Sequence, residues 1–543
     1  MSPTTARILP TIYQDRCAVS LYNAQYQNSK KVLIPQSVIN EVLSALLLFK
    51  RTCQDFGVLD DRVRVVATEA TRNAINNEEF QEQIQTRTGW EVELLAKEEE
   101  GRVGAMGIAS SFQSMKGLVL DLGGGSVQMT WMVAENGEVQ TSKKGSVSFP
   151  YGAAALMMLI EEAGTEGQDE LRRELTNKFK QAIEDLEIPE SLQETAKEEG
   201  GFNLHLSGGG FRGWGYILMS LHAIQPYPIP IINGFLVPRS AFLPQAESVA
   251  SNDTTFRISS RRALQVPAIT FLIQVLTQAL PSISTIRFAQ GGVREGLLFS
   301  QLSPTIRVQH PLVTATLPYA PSSTVALTRL LKCAIPDAPE LTYSPLAPFI
   351  SESFVTSIIH LLNAHSSLPK DIRAAAALRS TTTGLLASAH GLIHADRALL
   401  ALVLCERWSG DLSPTDTEFL LKMQELVGQK ASWWAKYVGR IAQSLGQIFP
   451  AGVVRENDEY GTLKIDLRWG VSEKGKSREE GVLKIQIQIL RGGLDGLVST
   501  MKEGLEKLGK RKNWVGGKEG YGKKVMVEVS GYSEDVGKFG NLD

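Results

Sequence analysis

Short apolar runs of strand length alternate with helix-length stretches through the first part of the chain. Residues 63–67 (VRVVA) predict a buried strand, and 68–74 (TEATRNA) open a helix that runs to a C-terminal glycine at Gly89. Residues 90–96 predict a second strand, and Lys97-Glu98-Glu99-Glu100-Gly101-Arg102 starts a second helix that leads to a strand ending at Asp121. Residues 117–133, GLVLDLGGGSVQMTWMV, then read as an apolar strand, an aspartate with three glycines, and another strand. Val127, Met129, Trp131 and Val133 fall on one face and Gln128 and Thr130 on the other, and Glu135-Asn136-Gly137 turns the chain into a further strand. Strands alternating with helices of this length predict parallel βαβ units with right-handed crossovers. The carboxyl ends of the strands then face one edge, and Arg72, Glu100 and Asp121 gather there.

The glycines follow a strand and precede a strand, so they do not open a helix. A dinucleotide fold or a P-loop needs its glycines before a helix N-terminus, and no G-K-[ST] is present. What remains is a tight hairpin of Gly123, Gly124, Gly125 and Ser126 whose amide N–H groups can close around phosphate oxygens, with Asp121 able to hold a metal through water. Taken alone, such a hairpin is more often only a turn. Glu98, Glu99 and Glu100 are favoured in a first helical turn by the dipole alone, and an arginine such as Arg72 more often makes a surface ion pair.

Further along, Leu206-Ser207-Gly208-Gly209-Gly210 reads as a strand running into a glycine turn before a helix. Residues 303–348 are proline-rich and predict a linker or a loosely packed insert. The pattern from 354 to 449 is helical, and from 453 it mixes alternating strands (TLKIDLRWGV, GVLKIQIQIL, KKVMVEVSGY) with one helix over 494–508.

Three of these motifs, ATEATRNA, KEEEGR and DLGGGS, occur in an order and context that resemble the exopolyphosphatase and guanosine-pentaphosphate phosphatase family, a branch of the actin, sugar-kinase and Hsp70 superfamily. The resemblance implies an α/β fold with a duplicated actin-like core: a first half over 1–144 and a second over 145–302. After the linker at 303–348 it implies an α-helical, degenerate HD-related domain over 349–450, and the pattern adds a small α+β domain over 451–543. It also implies roles: Glu100 as the catalytic glutamate, the Gln128 position as a second water-orienting group, Arg72 as a catalytic phosphate contact, and Asp121 as the Mg²⁺ ligand. Gly123, Gly124, Gly125 and Ser126, with Gly208, Gly209 and Gly210, would contact the phosphates of ATP, GTP or polyphosphate. Gly292-Val293-Arg294-Glu295-Gly296-Leu297 matches the end of the second half, where Arg294 and Glu295 read as an internal ion pair.

Two departures bear on activity. Family phosphatases open with a D-x-G-S-N-S-x-R hairpin, whereas this chain starts at MSPTTARILPTIYQDR, already inside what would be the next strand, which suggests a truncated gene model or an alternative start. Where the phosphatases carry a glutamate in GGGSTEL, this chain has Gln128, which can orient a water but cannot accept its proton. Loss of one base typically costs about two to four orders of magnitude in rate. With the long C-terminal extension, these features most resemble a fungal regulatory branch of the family that relays mitochondrial dysfunction to nuclear gene expression. The expected protein is a nucleotide- or phosphate-binding regulator with a protein partner on its C-terminal region, and a phosphohydrolase is the alternative.

Composition narrows the setting. The chain has 543 residues, 43% hydrophobic and 21% charged, with a net charge of −2 that excludes a globally basic, nucleic-acid-coating surface. Cys17, Cys53, Cys333 and Cys405 are widely spaced, which suits a reducing compartment and gives no metal cluster. No signal peptide and no membrane-length apolar run is visible, so the expected location is cytoplasmic, with a homodimer left open. His360, His365, His390, His394 and Asp396 are too few and too poorly spaced for a working HD metal site and read as packing groups. The basic run 502–524 reads first as a solvated helix end, with polyanion binding or a nuclear address as alternatives.

Overall fold

The alternation of strand and helix becomes two compact units, residues 1–222 with 232–309 and residues 223–231 with 310–543. The structure is a computed structural model describing residues 6–27, 30–243, 263–336, 346–455, 463–471, 481–489 and 494–531.

The first unit opens on a 3₁₀ turn, Ala6–Ile8, and residues 6–20 contain no strand, against the expectation from the sequence. Arg7 organises this segment. Its buried guanidinium donates to the carbonyls of Ser110, Phe112, Arg307 and Gln309 and lies 4.9 Å from the Phe299 ring centroid. Short helix α1 (Leu21–Ala24) and the β1–β2 ladder (Tyr26–Gln27 with Lys30–Lys31) precede α2 (Gln36–Asp55). Strands β3 (Val65–Ala67) and β4 (Val92–Leu94) pair in parallel, as the βαβ pattern requires. The helix expected between them is two helices, α3 (Glu69–Arg72) and α4 (Asn77–Thr88). The break is local chemistry: the Asn76 carboxamide pairs with both backbone groups of Ile34, and the Asn77 side chain donates to the Arg72 carbonyl. Gly89 closes α4 in the left-handed conformation, at φ 75°.

Helix α5 (Lys97–Ser110) leads to a seven-stranded sheet built from β5 (Met115–Leu122), β6 (Val127–Glu135), β7 (Glu138–Thr141), β8 (Val147–Phe149), β9 (Phe202–Ser207), β10 (Phe235–Pro238) and β11 (Ile283–Phe288). The order is β10-β11-β9-β5-β6-β7, with β8 on β6. This sheet joins residues 115–141 to 202–288, so the boundary expected at 144/145 falls inside one sheet. Long helix α6 (Ala153–Asp185), α7 (Glu190–Glu198), α8 (Gly208–Ser220), α9 (Val266–Ala279), α10 (Val293–Ser300) and α11 (Pro304–Arg307) complete the unit.

Both faces of the central hairpin are covered. Leu118, Leu120, Leu122, Val127 and Met129 are fully buried on one face, each worth roughly 1.5–3 kcal/mol. The face expected to be polar carries Thr130, Met132 and Ala134, all buried, and Val119 and Met132 join the α5–α10 core of Met106, Ile108 and Phe299. Asp121 and Gln128 share that face, as register partners at the turn end of the hairpin.

The second unit has one continuous core. Helices α12 (Pro311–Thr316) and α13 (Thr324–Cys333) occupy the proline-rich stretch, and Leu312, Leu327, Leu331, Leu346 and Phe349 are buried in that core. The described residues 310–336 and 346–348 are therefore a packed part of this unit rather than a linker or a loosely packed insert, and 337–345 lie outside the described residues. Pro304 and Pro311 sit at helix starts, where a missing N–H costs nothing. Helices α14 (Glu352–His360), α15 (Arg373–Leu378), α16 (His394–Trp408) and α17 (Pro414–Ile448) follow. Strands β12 (Leu463–Val471), β13 (Gly481–Ile489) and β14 (Lys524–Gly531), with α18 (Asp495–Leu508) crossing from β13 to its parallel neighbour β14, match the expected elements. Ile465, Ile485 and Leu505 pack in the same core as Trp433, Trp434 and Leu400, so the helical and α+β parts are not separate domains. The histidines fill packing roles at separate places: His360 bonds Thr316, His365 bonds Ser380, and His394 bonds Tyr227 and the Ile231 carbonyl. Asp396 accepts from the Ile393 amide as a helix cap.

Candidate functional site

Asp121 ends β5 between Gln128 of β6 and Ser207 of β9, its register partners on either side. Glu100 lies in the first turn of α5, over the same end of the sheet. Arg72, at the end of α3, donates from Nη2 to Glu100 Oε2 at 3.1 Å and from Nη1 to the Leu95 carbonyl. This ion pair is largely out of water, and Arg72 Nε is buried without an acceptor. The three residues expected at one edge are therefore brought together.

The electrostatics follow from burial. Desolvation pushes the Glu100 carboxyl up, Arg72 opposes it, and the charge of Glu69 adds to the rise. Asp121 has no cationic partner, and burial together with the Glu100 charge pushes it up to about 6. Two carboxylates facing one space repel each other and any phosphate. An anion can enter only with a cation or with donors supplied elsewhere.

The glycine turn supplies donors. The carbonyls of Gly123, Gly124 and Gly125 accept from the first amides of α6, at Ala153, Ala154, Ala155 and Gly152. Gly123 N–H bonds the Ser126 carbonyl at 2.9 Å, and the N–H groups of Gly124, Gly125 and Ser126 have no acceptor among the described residues. Gly152 must be glycine for this docking, because a Cβ there would lie 2.4 Å from Ser126 N. Gly208, Gly209 and Gly210 open α8 directly, with no turn between strand and helix. A Cβ on Gly208, at φ 89°, would strike Asp121 Oδ1 at 2.2 Å, and one on Gly210 would strike the Leu122 side chain. Their first role is close approach to the end of β5.

Glu100, Asp121, Gly123, Ser126 and Gln128 line one cavity of about 90 Å³, with Ser146 and Thr130. At about 30 Å³ of liquid per water, it holds a few waters or one phosphoryl group with an ion, but not a nucleoside. Gln128 Nε2 donates to Ser126 Oγ at 3.2 Å, and its Oε1 is buried with no partner. An unpaired carboxylate, a second carboxylate and an orphaned carboxamide oxygen are hard oxygen donors of the kind Mg²⁺ takes, so these residues fit that ion.

A model of the Ppx/GppA phosphatase family matches residues 2–304, and a model of the RTG2 C-terminal domain matches residues 310–532. The chain belongs to the Ppx/GppA phosphatase family. Retrograde regulation protein 2 of Saccharomyces cerevisiae is 40% identical over 474 residues, which cover 83% of this chain and 78% of that protein. Among solved structures, an Aquifex aeolicus Ppx/GppA phosphatase is 22% identical with a TM-score of 0.38, covering 50% of this chain and 85% of its own. An exopolyphosphatase from Cytophaga hutchinsonii is 17% identical with a TM-score of 0.39, covering 50% of this chain and 85% of its own. The second family match begins at residue 310, where the second compact unit takes over from the first.

Several residues of this Ppx/GppA site escaped the sequence reading. Glu69 stands one turn before Arg72 in the same ATEATR motif, and its charge reaches Glu100. Tyr22 lies so close to Gly125 that a Cβ there would be 2.8 Å from its ring, and Gln25 pins α1 by donating to the Ala70 carbonyl. No local pattern marks Tyr22, because its position depends on chain folding back over α3. Ser207 donates to the Gly291 carbonyl at 2.7 Å, tying the end of β9 to the start of α10. Arg294 and Glu295 do pair, at 2.8 Å, but Arg294 is exposed, so the pair is not internal; Glu295 also caps the Gly292 amide.

A carboxyl raised in the folded state favours folding below its unfolded value and disfavours it above. Asp121 therefore lowers stability as pH rises from about 4 to about 6, by up to about 3 kcal/mol once ionised. Asp121→Asn is expected to raise the melting temperature of the Ppx/GppA unit at pH 7 in EDTA and to leave it unchanged at pH 4. An equal effect at both values would show that the Asp121 charge is not strained in the fold.

Proposed function

We propose that this chain is a phosphate- and nucleotide-binding regulatory protein that acts in retrograde regulation, signalling mitochondrial state to the nucleus from the cytoplasm, and that it hydrolyses its ligand very slowly. The observation that carries this reading is Gln128: it faces Asp121 across the hairpin, lines the cavity, and offers an unpartnered carboxamide oxygen where the family chemistry needs a base. A carboxamide orients a water through that oxygen and cannot take its proton. The free amides of Gly124, Gly125 and Ser126 would bind the oxygens of a terminal phosphoryl group. Arg72 holds Glu100 in place and keeps it from swinging into the anion. Mg²⁺, held by Asp121, would neutralise charge on the phosphate and screen the two carboxylates from each other. A cavity of about 90 Å³ admits the terminal phosphate only, so the base and sugar of ATP or GTP would lie outside it.

The alternative, a working phosphohydrolase, rests on Glu100, whose raised carboxyl and place on the cavity suit a general base. The name of the yeast relative and the match over 310–532 favour the regulator, with a protein partner captured through the C-terminal unit.

Titration calorimetry with ATP, GTP and tripolyphosphate in Mg²⁺ tests the site. A Cβ on Gly124 meets no atom within 4 Å, so Gly124→Val leaves the fold intact and places a branched side chain beside the amides. Affinity is expected to fall at least about tenfold, an energy of about 1.4 kcal/mol. Unchanged affinity in that variant would remove the glycine turn from the site, and capture of the partner equal with and without nucleotide would detach regulation from it.

A further inference from the structure

Between Lys507 and Lys524 the chain carries seven cationic residues against one carboxylate, Glu519, in a protein of net charge −2. Lys507, Lys510, Lys512, Lys518 and Lys524 are all exposed. None of the five makes an ion pair among the described residues. An isolated helix end would be an ordinary solvated surface. This segment is more than that, because it joins α18 to β14 as a closed and buttressed loop.

Val515 and Tyr521 exchange backbone hydrogen bonds of 3.1 and 2.9 Å, which closes a ring of seven residues. Tyr521 meets the buried Trp433 of α17 edge to face, at 6.3 Å between centroids. Gly522 lies flat on Trp514, where a Cβ would be 2.2 Å from the indole, and Gly520 lies against the Val515 carbonyl. The Trp514 indole donates to the Gly509 carbonyl, and the Asn513 carboxamide donates to the Lys507 carbonyl at 2.6 Å. Arg511–Asn513 is a 3₁₀ turn, so Lys510, Arg511 and Lys512 are not presented as an extended address. The backbone that carries the cations is thus set before any partner arrives, which lowers the ordering cost of binding.

The chemistry selects the kind of anion. Arg511 lies over the Trp514 ring at 5.4 Å and Lys523 over Tyr521 at 5.5 Å, and Gly522 and Trp433 also pack against those two rings. Both aromatic rings are thus engaged within the loop and its support, which disfavours their use as a platform for stacking bases. Lysine outnumbers arginine six to one, and ammonium groups are point charges without the planar fork that grips a phosphate in two places. A surface of this kind reads density of negative charge along a chain. We propose that the loop over 507–524 is a docking surface for an acidic polypeptide segment, a run of Asp and Glu in a partner protein. This rests on the reading that the C-terminal unit captures a regulatory partner, and it names the face that does so.

The test uses the full chain and two fluorescein-labelled probes of equal charge, an oligoglutamate peptide and a single-stranded RNA, in anisotropy titrations over a range of salt. The peptide is expected to bind, with affinity falling steeply as salt rises. The triple variant Lys510→Glu, Lys512→Glu, Lys518→Glu should weaken it at least about tenfold and flatten the salt dependence. Lys180→Glu, an exposed lysine of the first unit, should change nothing. All three loop lysines are exposed, so the melting temperature should hold and separate lost charge from lost fold. Equal peptide affinity in the triple variant, no peptide binding by the wild type, or tighter binding of RNA than of peptide would each overturn the proposal. Peptide binding that is lost in the triple variant, with partner capture indifferent to nucleotide, would support this surface while sinking its control by the first unit.

Discussion

Gly296→Val is expected to cost about 3–5 kcal/mol of stability, the largest effect of any single change considered for this protein. Helices α5 and α10 touch backbone to backbone. A Cβ at Gly296 would lie 1.8 Å from the Val103 carbonyl oxygen and 2.9 Å from Gly107 N, and one at Gly107 would lie 2.0 Å from the Gly292 carbonyl oxygen. These atoms belong to helix backbones and cannot rotate away as a side-chain tip would, so the two helices must separate. Because α5 also carries Glu100, separation should weaken ligand binding along with the fold. Gly292→Ala is the control, since a Cβ there meets nothing within 4 Å; it should stay within about 1 kcal/mol of the wild type. Urea unfolding followed by circular dichroism checks both. A wild-type midpoint for Gly296→Val would mean that the helices are not in backbone contact.

Gln128→Glu is expected to raise phosphate release from polyphosphate or guanosine pentaphosphate by about two to four orders of magnitude. The new carboxylate would stand opposite Asp121 in register and on the same cavity as Glu100. Like charges push one another's pKa up, and Asp121 already sits at about 6. The gain should therefore grow as pH rises above neutrality, where all three groups ionise, and should need Mg²⁺. Glu100→Gln should abolish whatever rate the unaltered chain has. Phosphate release measured from pH 6 to pH 9 gives the answer, and robust turnover by the unaltered chain would promote the hydrolase over the regulator.

Much of the site could be read from local pattern because it is built from strand ends and helix starts. The DLGGGS hairpin, the KEEEGR helix start and Arg72 each have a local signature, but β3 and β4 form a sheet apart from that of β5, so the expected succession of βαβ units does not by itself account for their meeting. Tyr22 has no such signature, and Glu69 and Ser207 lie inside motifs that do not mark them, since each acts through contacts with residues far along the chain. Of the α5 glycines, Gly101 faces Ser146, Gly104 faces Asp121 and Gly107 faces the Gly292 backbone, three separate close approaches that no helical period marks in advance. The GVREGL segment read as the end of the second half with an internal ion pair, and Gly296 within it lets α10 lie against α5.

The sequence by itself determined the elements: the β5–β6 hairpin, the parallel β3–β4 pair, the C-terminal strand–helix–strand, and the departure at Gln128. Periodicity and turn chemistry act over a few residues, so they survive without knowledge of what packs where. Only the tertiary structure decided the groupings. It placed residues 115–141 in the same sheet as 202–207, 235–238 and 283–288, split the helix after Arg72 where Asn76 binds Ile34, and buried Leu312, Leu327, Leu331 and Phe349 in the core of the second unit. It also merged the helical and α+β regions around one core. Composition marks a segment as proline-rich, but whether that segment is a linker depends on the apolar surface that distant residues offer to Leu327 and Leu331.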